Sequence, residues 1–166
     1  MRGVSIAGLA LPLLLCGCML SPTASTSPDA GLAFTGKVYG GQQPITSANV
    51  YLFAANTTGY GNASVSLLNS VPGSTTLDSG GGATNGDYYA ATDSNGNFTI
   101  TSDYTCTGGA QVYLYVLGGN TGSGTNAAAG LMAVLGNCPG TAGSTGNTFS
   151  SSLYVVVNEV STVAAA

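Results

Sequence analysis

Gln111-Val112-Tyr113-Leu114-Tyr115-Val116-Leu117 decides the fold. Successive side chains of an extended chain point to opposite faces, so Val112, Leu114 and Val116 share one side and Tyr113, Tyr115 and Leu117 the other. Both sides are apolar or amphipathic, the pattern of a central strand covered on both faces. Around it lie further short runs rich in β-branched and aromatic residues: 34–39, 48–54, 64–68, 88–91, 97–101 and 153–157, separated by Gly, Asn and Ser clusters. That rhythm predicts an all-β chain of seven or more strands, an antiparallel β-sandwich of Greek-key type with long Gly/Ser/Thr-rich loops. The one stretch with a helical stripe is 127–135. Asp93-Ser94-Asn95-Gly96 reads as a tight turn feeding the strand that contains Phe98 and Ile100.

Composition narrows the function. Charged residues are 5% of the 166-residue chain, against about 25% in an average soluble protein. Arg2 and Lys37 are the only basic residues, facing six carboxylates. Nucleic-acid binding replaces phosphate counterions with several Lys or Arg, and anionic membrane surfaces also attract basic clusters. Neither is an expected partner. Histidine is absent, which excludes Ser-His and Cys-His nucleophile systems and His-based zinc sites. The loops at Gly80-Gly81-Gly82 and 118–122 lack the Lys and the following helix of a phosphate cradle.

The N-terminus carries an address. Arg2 and the apolar run 4–15 have the charged start and apolar centre of a secretory signal, and roughly twelve residues fall short of the ~20 needed to span a bilayer. Leu15-Cys16-Gly17-Cys18 then resembles the bacterial lipobox. The resemblance implies cleavage before Cys18, diacylation of its sulfur and stable anchoring by two or three chains. Cys16 is the poorer acceptor because bulky Leu15 would stand just before it. The expected organisation is a signal peptide over 1–17, the lipidated Cys18 with a Ser/Thr/Pro tether over 18–32, and a β-domain over 33–166. The membrane, reached through the lipid, is then a partner, and the location is the cell envelope; Met19 after the cysteine favours the outer membrane in a diderm. The chain ends on Ala164-Ala165-Ala166 without a polar stop, which leaves room for a longer native protein. In an exported chain Cys106 and Cys138 are expected to be bonded to each other.

Three pieces in order carry a second resemblance: Gly36-Lys37-Val38-Tyr39-Gly40, Pro44-Ile45-Thr46-Ser47-Ala48-Asn49-Val50 and Thr92-Asp93-Ser94-Asn95-Gly96-Asn97-Phe98. Together they resemble the carboxypeptidase regulatory-like domain, a transthyretin-like β-sandwich, over about 33–117. The resemblance implies a stabilising or binding module and no catalysis. A long insertion between Leu68 and Tyr88, and everything from Gly118 onward, depart from it.

Candidate chemistry is sparse. Asp78-Ser79-Gly80 matches an aspartic-protease turn, but only one copy exists and Gly81 stands where that family has Ser or Thr; a surface turn is the simpler reading. Asp93, Asn95 and Asn97 alternate oxygens like the start of a calcium loop, to be completed by Asp87 or Asp103, yet Gly96 is misplaced for an EF-hand. Glu159 reads as a structural acceptor. Tyr51, Tyr113 and Tyr115 lie on expected strands and form a possible ligand face, since a phenol offers an apolar ring with a polar tip; alternatively they cover the second side of the sheet beneath the 69–87 insertion. The sequence therefore points to a non-catalytic envelope module with no cofactor and no metal, partnered by an envelope protein or a polysaccharide.

Overall fold

Pairing of the β-branched and aromatic runs produces the architecture. The computed structural model describes residues 33–101 and 104–166. The expected lipid acceptor Cys18 and its signal, and Asp103, lie outside these residues. Strands run β1 Phe34–Gly40, β2 Gln43–Pro44, β3 Asn49–Ala54, β4 Val65–Ser66, β5 Thr76–Leu77, β6 Tyr88–Ala91, β7 Asn97–Ile100, β8 Gln111–Leu117, β9 Gly130–Asn137 and β10 Tyr154–Val157, followed by the helix α1 Glu159–Ala165. The chain is all-β in class, with two sheets in which antiparallel pairs predominate.

In the first sheet β1 lies between β7, antiparallel from Phe34↔Ile100 to Lys37↔Asn97, and β10, parallel from Thr35↔Tyr154 to Val38↔Val157. The end of β1 turns back into β2. The second sheet has the order β5-β6-β3-β8-β9, with β4 also paired to β3. β8 is bonded along both edges, to β3 and to β9. Thus the 118–166 half adds one strand to each sheet. The inward side chains of both sheets share one apolar cluster, with Phe34, Val38, Phe98, Ile100 and Val157 from the first and Val50, Leu52, Val112, Leu114 and Val116 from the second.

Residues from the three pieces of the pattern meet in space. A Cβ on Gly36 would fall on the Phe98 ring and the Val155 carbonyl, so only a hydrogen fits there. Thr92 Oγ1 donates to the Ile45 carbonyl and accepts from the Ala48 N–H, both at 2.8 Å, which ties the turn before β3 to the end of β6. Gly96 sits at φ +75, and its carbonyl accepts from Val38 N–H at 2.9 Å. Positive φ is the region glycine enters without steric cost.

One stretch departs from its expected state, and one helix appears where no element was expected. The 127–135 stripe is not helical: residues 130–137 form β9, because pairing with β8 along its length overrides the helix preference of Leu131, Met132, Ala133 and Leu135. Conversely, the segment after Val157 is a helix started by a reciprocal cap. Asn158 Oδ1 accepts from Ser161 N–H, and Ser161 Oγ accepts from Asn158 N–H, each at 2.9 Å. The helix docks by its hydroxyls: Thr162 Oγ1 accepts from Met132 N–H at 2.9 Å and Ser161 Oγ donates to Met132 carbonyl at 2.8 Å. These bonds satisfy Met132 on the edge of β9, while Val160 and Val163 face solvent. Glu159 accepts from Gly41 N–H at 2.6 Å and holds the helix start to the β1–β2 turn.

The expected disulfide is present between Cys106 and Cys138, with Cα atoms 6.0 Å apart. Beside it Asn147 pairs its backbone with Cys106 and donates its side-chain amide to Ser144, which binds the 139–147 loop down. Tyr104 is fully buried against Phe34, edge to face at 5.8 Å, and its hydroxyl accepts from Phe149 N–H at 2.9 Å.

Candidate functional site

The register of two strands assembles an aromatic surface. Tyr51 lies directly opposite Tyr115, and Phe53 opposite Tyr113, on the face of the second sheet turned away from the shared core. Tyr51 and Phe53 stack with ring centres 6.0 Å apart, Tyr51 tilts against Tyr115 at 6.3 Å, and Phe53 against Tyr113 at 5.8 Å. Tyr89 of β6 joins Tyr51 at 5.6 Å. Such pairs are worth about 0.5–1.5 kcal/mol each beyond the area they bury, so the cluster stiffens the sheet as well as lining its outer face.

Two loops cover part of this surface. Asp78 pins one of them: its Oδ2 accepts from the Tyr51 and Thr84 hydroxyls, both at 2.7 Å, and its Oδ1 accepts from Gly80 N–H at 2.8 Å. Those donors, the Gly80 N–H foremost, hold the Asp78 carboxyl below the usual carboxylate range, whereas burial pushes the Tyr51 phenol up. The second loop is fixed by Tyr113, whose hydroxyl donates to Ser64 Oγ at 2.7 Å. Between the loops remains a cleft of about 330 Å³. Phe53, Tyr113 and Tyr115 line it from the sheet, Met132 from β9, and Ala63, Ser64, Ala83, Thr84 and Asp87 from the loops. Its size is at the lower end of small-molecule sites.

The three tyrosines singled out in the sequence therefore separate. Tyr113 and Tyr115 are half-buried and border the cleft, but Tyr51 is fully buried beneath the Asp78 loop and offers no ring to a ligand. A platform of three exposed rings does not form. Phe53 and Met132 complete the lining without having been singled out, and Asp87, considered in the sequence only as a partner for a calcium loop at Asp93, lines the cleft instead. Phe53 was detectable, since it alternates with Tyr51; Met132 and Asp87 arrive through strand register and loop path.

The remaining acidic candidates are engaged locally. Asp93 Oδ1 accepts from the N–H groups of Asn95 and Asn97 at 2.8 Å each, and its Oδ2 accepts from Asn97 Nδ2 at 2.9 Å. The Asn97 donors hold this carboxyl low too, and the oxygens that a cation would need serve the turn instead. Asp78, the lone member of the protease-like triplet, is spent on Tyr51, Thr84 and Gly80. Among the described residues no group of three or more Asp, Glu, Cys or His side chains gathers where it could hold a metal. A larger hollow of about 550 Å³ beside the disulfide is bordered by Asn56, Thr57, Thr58, Asn69, Thr105 and Thr107, and no acid or base lines it. Comparison with protein-family models, with curated proteins and with solved structures gives no match for this chain.

Proposed function

We propose that this chain is a non-catalytic binding module of the bacterial cell envelope, a transthyretin-like β-sandwich tethered by lipid on Cys18. The observation that carries the binding part is the cleft floored by Phe53, Tyr113 and Tyr115 and braced by two hydrogen-bonded loops. Such a site is formed before its ligand arrives, which lowers the ordering cost of association. Support for a role without catalysis comes from three of the four described acids: Asp78, Asp93 and Glu159 are each committed to backbone or hydroxyl donors of their own fold, which leaves Asp87 without a second carboxylate to work with. The lipobox-like Leu15-Cys16-Gly17-Cys18 supports the anchor. Confinement to a membrane would raise the effective concentration of the module near envelope partners.

Fractionation tests the reading. Wild-type protein should sediment with membranes, and Cys18→Ala should be released or retain residues 1–17. Unchanged membrane retention and processing in the variant would overturn it. A carbohydrate-binding role is the second reading, favoured by the half-buried rings of Tyr113 and Tyr115 beside the cleft; hits on a glycan array, lost in Tyr115→Ala, would establish it.

A further inference from the structure

The cleft has a definite chemical bias. Its lining residues are aromatic, aliphatic or hydroxyl-bearing, with one methionine and one acid, Asp87, and none is a Lys, Arg, Asn, Gln or Trp that could offer a side-chain N–H donor. Among the described residues the Asp87 carboxylate has no hydrogen-bond or ion-pair partner, and neither does the Tyr115 hydroxyl. Asp87 differs in this from Asp78, Asp93 and Glu159, whose oxygens are used by the fold. The one basic side chain of the described residues, Lys37, belongs to the other sheet, where its ammonium lies 5.0 Å from the Tyr39 ring centre. Among the described residues no cationic side chain lines the cleft.

We propose that this cleft binds an organic ammonium, its cationic head against the tyrosine faces and Asp87 and its apolar body over Phe53 and Met132. The ring quadrupole presents negative charge on its face and attracts a cation within about 6 Å. A carboxylate at the same site adds direct charge complementarity, and a partly desolvated cleft screens both less than bulk water does. An anionic ligand would meet the Asp87 charge with hydroxyl donors but no cationic side chain in the lining to compensate it. A neutral sugar would stack on the rings but leave Asp87 with hydroxyl donors alone. The inference rests on the cleft being a binding site and adds the charge of what enters.

The test is an NMR titration of the folded mature domain with four probes: choline, its uncharged carbon isostere dimethylbutanol, Nα-acetyl-lysine methylamide and maltose. Choline should shift the Met132 methyl and Tyr115 ring signals saturably, with the isostere binding about tenfold more weakly. Asp87→Asn, which preserves shape, should weaken choline by about tenfold while leaving the isostere unchanged, and Tyr115→Leu should weaken choline in a domain whose Tyr51 signals stay native. The lysine derivative distinguishes a side chain borne by a partner from a free small molecule as the source of the ammonium. Equal binding of choline and its isostere would overturn the charge claim and leave the cleft a binding site. Maltose binding without choline would do the same in favour of the sugar reading. Perturbation by none of the four would overturn the ammonium proposal and remove the support for the cleft as a small-molecule site.

Discussion

The Tyr51 hydroxyl donates a 2.7 Å hydrogen bond to Asp78 across 27 residues of sequence, and this bond decides which tyrosines meet solvent. By holding the 78–87 loop over Tyr51, it leaves Tyr113 and Tyr115 as the rings beside the cleft. Asp78→Ala deletes the acceptor of both Tyr51 and Thr84, and hydrogen bonds to a charged group contribute about 1.5–3 kcal/mol. Since Asp78 is partly solvated, a loss of about 1–2 kcal/mol in urea unfolding is expected. Combined with Tyr51→Phe the losses should fall short of additive, because both changes break the same bond.

Acid should act on the same latch. The folded Asp78 carboxyl titrates below its unfolded value, which is near 3.9. Its contribution is therefore present above that value and is lost as pH falls toward and through the lowered folded pKa. Exposure of the loop to protease should rise below about pH 4 in wild type. In Asp78→Asn the loop should already be more accessible at neutral pH, with a weaker acid dependence; identical pH profiles for the two proteins would contradict the latch.

Gly36 and Phe98 make a second close relationship. Gly36→Ala places a methyl group against the Phe98 ring and the Val155 carbonyl, and the carbonyl is backbone that a rotamer change cannot move. Overpacking of this kind costs about 1–3 kcal/mol. Phe98→Leu should not rescue it, because the clash with Val155 remains. Thermal unfolding of the single and double variants separates the two contributions.

Reduction should reveal the weight of the Cys106–Cys138 bond. The cysteines are 32 residues apart, and on the chain-entropy model closure of such a loop removes about 3.5–4 kcal/mol of denatured-state entropy. Replacing both cysteines by serine should lower stability by up to that amount, and thiol labelling of denatured, unreduced protein should leave both unmodified.

At the other end of the sheet, Thr162→Val keeps the shape of the side chain but removes the acceptor of Met132 N–H. Amide exchange at Met132 should accelerate by about tenfold or more if the helix loosens locally. Neighbouring amides of β8, bonded on both edges, should change little.

The sequence displayed the strands whose alternation is strong, and Tyr113 and Tyr115 were visible with them because β8 has unlike but apolar faces. β9 was disguised: Leu131-Met132-Ala133-Val134-Leu135 has no polar alternation and consists largely of helix formers, so only the partner strand determines its state. The helix α1 was hidden for the opposite reason, since Val160, Thr162 and Val163 are β-branched and continue the apolar run of β10. Its local signal was the pairing of Asn158 with Ser161. The inequality of the three tyrosines could not be read locally, because a carboxylate 27 positions away makes it. Asp87 likewise reaches the cleft through the path of a glycine-rich loop that carries little periodicity.

Whether lipid holds this module is decided by mass spectrometry of the mature N-terminal peptide. The predicted result is a peptide beginning at Cys18, with residues 1–17 absent and the added mass of a diacylglyceryl group on the sulfur. An unmodified Cys18 within a peptide still joined to the preceding residues would contradict it.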